Sequence, residues 1–161
     1  MQQFKAGIEK QFFYFMASKQ ETIEKAQSYF DAGFACSQSI LLCFANQFGL
    51  NENTAKLISS GFGGGMGRLR EKCGALTGSF MVIGLKYGNT NPKDLETKLN
   101  AYQKIQELNK QFIKQWDSGN CGDILNKFTS PDEVDKRKHH QIICRKVVGQ
   151  TAGMLFDILN A

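Results

Sequence analysis

The stretch that most constrains this chain is a glycine-dense loop followed by a cysteine-bearing helix, within residues 59–88. The loop reads Gly-Phe-Gly-Gly-Gly-Met-Gly over residues 61–67. Glycine adopts positive φ at little cost, so we expect unusual backbone here, with amide hydrogens left to bind an anion. After a charged turn, Cys73 opens an apolar helix, and the partial positive charge of a helix N-terminus favours thiolate. The stretch therefore predicts cysteine chemistry without naming a substrate.

The rest of the chain shows the periodicity of amphipathic helices. Only two prolines occur in the 161 residues, and a composition of 42% apolar and 22% charged residues is typical of a globular protein with one core. We therefore predict an all-α, single-domain bundle of about six or seven helices with no sheet. The Cys73 helix, which is the most apolar, should lie at its centre.

The domain should cover residues 21–161, with residues 1–20 as an N-terminal extension. Aromatic and aliphatic residues from Phe4 to Phe15 fall on one helical face. This pattern fits an amphipathic helix that docks on the domain or on a partner, and it equally fits a peripheral segment. No signal-peptide pattern is found and no apolar run is long enough to span a bilayer. We expect a cytoplasmic protein with reduced thiols.

Two helix starts are predicted from proline positions. Pro92 should be the first residue of the longest helix, which runs to about Trp116. A capping box over residues 130–133, with Pro131 at the first helical position, should open the last helix. Cys121 should precede only a short turn.

Small residues mark one face of the Cys73 helix. Gly74 and Gly78 are four residues apart. A glycine inside a helix costs about 1 kcal/mol relative to alanine. We therefore expect another helix, or a ligand, to approach the backbone at these positions.

Five cysteines occur, without CxxC or paired zinc-finger spacing. Cys36, Cys73 and Cys121 each follow a glycine-containing turn and stand at a helix entrance, which favours reactive thiols. Burial as small hydrophobic residues is the alternative for each. Cys43 lies in an apolar run, and a helix would hold it roughly 10 Å from Cys36. That distance excludes a disulfide between them, so Cys43 is predicted to be a core residue.

Cys144 lies in the last helix, four residues after His140. A cysteine–histidine pair on one helical face could bind a metal or stabilise a thiolate. The alternative, a solvated basic face with an incidental histidine, is favoured by the surrounding lysines and arginines. Those positive charges would still favour thiolate at an exposed Cys144.

The glycine loop supplies a second kind of candidate site. Its residues Gly63, Gly64, Gly65 and Gly67 resemble an anion-binding nest. The loop lacks the Lys-Ser/Thr ending of a P-loop and the preceding strand of a dinucleotide fold, which argues against nucleotide binding. A tight connection packed beside Cys73 is the structural alternative.

These motifs together resemble the C_GCAxxG_C_C family, a group regarded as redox-active and named for four cysteines. The resemblance rests on Cys36-Ser37-Gln38-Ser39, the glycine loop, Cys73-Gly74-Ala75-Leu76-Thr77-Gly78, and then Cys121 and Cys144 in order. It runs from about Gly33 to the last helix. It implies that these four cysteines carry redox or metal chemistry and leaves Cys43 outside the pattern.

Three functions stay open at this level. In the first, the protein performs thiol–disulfide chemistry, with Cys36 and Cys73 as the reactive pair and Cys121 and Cys144 as a second or resolving pair. In the second, the same four thiolates bind a metal or an iron–sulfur cluster. In the third, the chain is a non-enzymatic helical interaction domain that self-associates.

Partners are less constrained by the sequence. The net charge of +5 is modest and the lysines are spread along the chain, with no DNA-binding motif. We expect a redox partner or a small molecule of unknown identity, and no nucleic acid.

Overall fold

The computed structural model describes residues 18–161, and within them it is an all-α domain with no β-strand. This confirms the predicted fold class. The prediction for the aromatic N-terminal segment falls on residues 1–17, outside the described range. Seven α-helices of eight or more residues lie within that range: α1 (Lys19–Asp31), α2 (Cys36–Ala45), α3 (Glu52–Ser60), α4 (Gly74–Tyr87), α5 (Leu95–Trp116), α6 (Cys121–Phe128) and α7 (Lys136–Asn160).

Two predicted helix starts are wrong, because an aspartate caps each helix three or more residues later. Helix α5 begins after Asp94, whose carboxylate accepts a hydrogen bond from the Thr97 amide at 3.1 Å. Helix α7 begins after Asp135, which caps the Lys138 amide at 3.0 Å. Aspartate is among the strongest N-caps, and both prolines lie in turns instead.

Two further helices differ from expectation in length. Helix α7, with 25 residues, is longer than α5, with 22 residues. The turn expected after Cys121 is a helix of 8 residues. Its start matters for the site, because Cys121 is its first residue.

Helix α4 contributes to the core of the domain. It packs against α2, α5 and α7, while α1 covers α2 and α7. The largest side chains that are fully buried come mainly from these central helices: Phe44, Phe112, Ile40, Leu41, Leu42, Leu76, Ile83, Leu108, Leu155, Ile158, Val82 and Val148. Among residues 18–161, no helix combines the length and apolarity that crossing a membrane requires.

The small-residue face of α4 meets the start of α2 at backbone distance. A Cβ added to Gly78 would lie 2.6 Å from the Ser37 carbonyl oxygen, and one added to Gly74 would lie 3.2 Å from the Cys36 Cβ. Real Cβ atoms do not approach a carbonyl oxygen so closely, so only glycine permits this crossing. The expectation that a helix approaches α4 at these positions is confirmed.

Gly78→Ala should lower the free energy of unfolding by about 1–3 kcal/mol, the usual cost of overpacking a tight contact. Gly84→Ala is the matched control on the same helix, because a Cβ there meets nothing within 4 Å. The control should gain up to about 1 kcal/mol from helix propensity. Urea denaturation under reducing conditions measures both, and equal effects at the two positions would contradict the close crossing.

Candidate functional site

The glycine loop folds into a turn of left-handed backbone. Residues 64–68 all have positive φ, between 62° and 72°. Each L-residue in this conformation is disfavoured by about 1–2 kcal/mol, whereas glycine is not. The glycines therefore provide the backbone freedom predicted for them. Met66 and Arg68 are the two residues of this run that have a side chain and still adopt positive φ.

The segment after this turn pairs with the start of α6. The Cys121 amide donates to the Glu71 carbonyl at 2.7 Å, and the Cys73 amide donates to the Gly119 carbonyl at 2.8 Å. These two bonds bring Cys73 and Cys121 together from distant parts of the chain. A Cβ on Gly65 would lie 2.6 Å from the Cys121 Cβ, so the left-handed turn packs directly on this cysteine.

Cys36 is fixed at the first turn of α2 by its two sequence neighbours. The Ser37 hydroxyl donates a hydrogen bond to the Ser59 carbonyl at 2.7 Å, and the side-chain amide of Gln38 donates one to the Lys56 carbonyl at 3.0 Å. Both acceptors belong to α3. The polar residues that follow Cys36 therefore join α2 to α3 and hold the cysteine beside the entrance of α4.

Cys36, Cys73, Cys121 and Cys144 all border one internal cavity of about 40 Å³, which Gly64 and Gly65 also line. A water molecule occupies about 30 Å³ in the liquid, so this space is small. Cys43 does not border the cavity. It is 3% exposed and its thiol lies 3.5 Å from the Thr22 carbonyl oxygen, so its predicted place in the core is confirmed.

A wider cleft of about 970 Å³ opens above this cavity. Cys36 and Cys144 line both spaces, whereas Cys73 and Cys121 line only the inner one. The glycines Gly63, Gly64 and Gly67 form part of the cleft wall, and His140 stands near Cys144 in the same lining. The site therefore has an outer thiol pair, which is partly exposed, and an inner pair, which is buried.

Comparison with known proteins assigns most of the chain to one family. The family described as "Putative redox-active protein (C_GCAxxG_C_C)" matches residues 34–158. The chain belongs to the C_GCAxxG_C_C family. It is also 30% identical to an uncharacterized protein of Archaeoglobus fulgidus over 121 aligned residues. The aligned region covers 70% of this chain and 78% of the relative. No solved structure matches.

Within this C_GCAxxG_C_C protein, the outer thiols interact with each other. Cys36 and Cys144 lie within hydrogen-bonding reach, and this contact raises the pKa of Cys36 and lowers the pKa of Cys144. Burial raises the pKa of Cys36 further, while the positive charge of Arg70 favours the thiolate of Cys144. Cys144 is therefore the thiol that ionises first in the pair.

The inner thiols are held in the neutral form. Burial raises the pKa of Cys73 to about 12, although the amides of Ala75 and Leu76 act in the opposite direction. The expectation that a helix N-terminus makes Cys73 a thiolate is therefore wrong, because desolvation outweighs the helix amides. Burial also raises the pKa of Cys121, against a hydrogen bond from Arg70.

Arg70 is the site residue that sequence reasoning missed. Its guanidinium donates to the Cys121 sulfur at 3.6 Å, and its charge acts on Cys144 and His140. The residue itself has φ of 65°. The available signal was its position in the charged turn between the glycine loop and Cys73.

The thiol order can be tested by alkylation with iodoacetamide at about pH 7.5, below the usual pKa of a free thiol. Cys144 should react first, because its lowered pKa provides thiolate at a lower pH, and Cys73 should stay unmodified in folded protein. Peptide mass spectrometry identifies the modified residue.

The contribution of Cys36 is tested by two substitutions in that assay. Cys36→Ala removes the hydrogen-bond donor and should slow alkylation of Cys144 severalfold, whereas Cys36→Ser keeps a donor and should preserve most of the rate. Faster labelling of Cys73 than of Cys144 would contradict the assigned order.

Proposed function

We propose that the protein performs thiol–disulfide exchange, with Cys144 as the attacking thiolate and Cys36 as the resolving thiol. The observation that carries this proposal is that Cys36 and Cys144 are the two cysteines lining both the open cleft and the inner cavity, where they interact with each other. The redox-active description of the family supports the same chemistry. This pairing replaces the Cys36–Cys73 pair expected from sequence, because the hydrogen-bonding partner of Cys36 is Cys144.

The exchange proceeds in two displacements. The Cys144 thiolate attacks one sulfur of a substrate disulfide, forming a mixed disulfide and releasing the first substrate thiolate. Cys36 then loses its proton to that leaving group or to solvent and attacks the Cys144 sulfur. A Cys36–Cys144 disulfide forms and the second substrate thiolate leaves, so that two electrons pass from the protein to the substrate.

The inner pair can extend this chemistry. Cys73 and Cys121 lie close enough to Cys144 for their charges to interact, and they border the same cavity. Internal exchange would move the disulfide inward to Cys73 and Cys121 without any net change in oxidation. In a reducing compartment such as the cytoplasm, a cellular thiol would return the protein to its reduced state.

Exposure of the reduced protein to 2-hydroxyethyl disulfide should remove two thiols together, and peptide mapping should find Cys36 joined to Cys144. Cys36→Ala should accumulate a mixed disulfide on Cys144, because the thiols left at the cavity, Cys73 and Cys121, are held in the neutral form by burial and attack it slowly. Cys43→Ala should behave as the parent protein does. Independent modification of all five thiols, with no internal bond, would refute the exchange mechanism.

A thiolate metal site is the second candidate, since all four family cysteines border one cavity. Cysteine sulfur suits zinc and iron–sulfur clusters, and the small volume suits a single ion better than a cluster. Against it, no group of three cysteine, histidine or carboxylate side chains within residues 18–161 is placed to hold a metal ion. When bound, such an ion would fix the four sulfurs as thiolates.

Elemental analysis of anaerobically purified protein distinguishes the two candidates. Thiol exchange predicts zinc and iron far below one ion per chain, and a melting temperature unaffected by chelator. Stoichiometric metal together with a chelator-dependent loss of stability would favour the metal site instead, because metal-binding energy is coupled to folding.

A further inference from the structure

We propose that the cleft above Cys36 and Cys144 selects small anionic molecules, and that the substrate of the exchange is a disulfide carrying carboxylate groups. This inference rests on the proposed function and names its substrate class. It is carried by the composition, backbone and size of the cleft lining, none of which the thiol chemistry alone requires.

The cleft lining carries positive charge on two separate segments. Arg68 ends the left-handed turn and Arg70 follows it, while Lys136 and Arg137 occupy the first turn of α7. No aspartate or glutamate among the described residues lines the cleft. Within residues 18–161, none of these four side chains forms an ion pair with a carboxylate.

Three carboxylates close to these segments are engaged elsewhere. Asp31 pairs with Arg145 at 2.8 Å, Glu133 lies 3.2 Å from a ring nitrogen of His139, and Asp135 caps α7. These contacts leave the cations of the cleft without neutralising partners from the described chain. A ligand with negative charge would supply them, and arginine binds carboxylates in a planar, two-bond geometry.

The backbone also indicates that the two arginines have a role. Arg68 has φ of 68° and Arg70 has φ of 65°, a conformation that favours glycine and disfavours a side chain. Arg68 packs over the turn, since a Cβ on Gly64 would lie 2.9 Å from its Cγ. Side chains kept in strained backbone cluster at functional sites, and these two flank the path to the thiols.

The volume of the cleft and the position of its cations both suit a small disulfide substrate. The cleft measures about 970 Å³, within the usual range for small-molecule sites. Burial and the charge of Arg70 lower the pKa of His140, which keeps its imidazole neutral beside Cys144. Arg70 is therefore the fixed positive charge available there to stabilise a departing substrate thiolate.

A pair of alkylating reagents tests the charge selection independently of disulfide chemistry. Iodoacetate and iodoacetamide differ by one negative charge and little in size. The ratio of their rates at Cys144 should favour iodoacetate by about tenfold in folded protein relative to urea-unfolded protein at low salt. The preference should fall in 0.5 M salt, because the Debye length shrinks to a few ångströms. An equal ratio in folded and unfolded protein would overturn the proposal.

Matched double variants locate the effect. Lys136→Gln with Arg137→Gln should lower the iodoacetate preference at least about threefold. Lys110→Gln with Lys114→Gln removes the same charge from exposed positions on α5 and should leave the preference intact. An equal loss in both variants would show that net charge, rather than the cleft, selects the anion, and would overturn the proposal.

A charge series of disulfides then tests the substrate class. Dithiodipropionate, 2-hydroxyethyl disulfide and cystamine carry two negative charges, none and two positive charges. Relative to the unfolded chain, formation of the Cys36–Cys144 bond should be fastest with dithiodipropionate and slowest with cystamine. Equal rates, or a preference for cystamine, would overturn the substrate assignment while leaving the exchange mechanism standing. No internal bond with any of the three would refute the exchange mechanism and the substrate assignment together, and the alkylation ratio would still report on the anion selectivity of the cleft.

Discussion

The arrangement of the site depends on glycines at which neighbouring segments approach more closely than a side chain would allow. At Gly65 a Cβ would overlap the Cys121 side chain, and at Gly74 it would press on the first turn of α2. These two contacts bring the left-handed turn, α2, α4 and α6 together around one small cavity. Tight contacts of this kind cannot relax without moving the cysteines, because packed interiors deform little. The positions of the four thiols are therefore set by the backbone more than by their own packing.

Burial then decides which thiol ionises most readily. Cys73 has the helix-terminal position that usually favours a thiolate, yet desolvation raises its pKa to about 12. Cys144 has no such position but lies at the cleft, with a hydrogen-bond partner and a nearby arginine. Desolvation penalises the charged form of a buried thiol more strongly than a few amide dipoles can offset. The order in which the thiols ionise therefore follows depth in the fold.

The sequence predicted the helical class, the core position of Cys43 and the close contact at Gly78. Each of these depends on local pattern, which a single chain displays directly. It did not predict the Cys36–Cys144 contact, since that pairing depends on how α7 crosses the start of α2. It also missed Arg70, whose role appears only when the turn pairs with the segment before α6. The caps at Asp94 and Asp135 were not predicted, because proline also favours the first position of a helix and a single sequence does not rank the two signals.

The helical conformation of α2 also has a consequence for folding. In an unfolded chain, the entropy of loop closure favours bonds between cysteines that are near in sequence, and the nearest two are Cys36 and Cys43. Both belong to α2, which holds their Cα atoms roughly 10 Å apart, beyond the reach of a disulfide. Early formation of this helix would thus suppress the most accessible incorrect crosslink. It would also leave Cys36 unpaired until α7, the last helix in the chain, brings Cys144 to it.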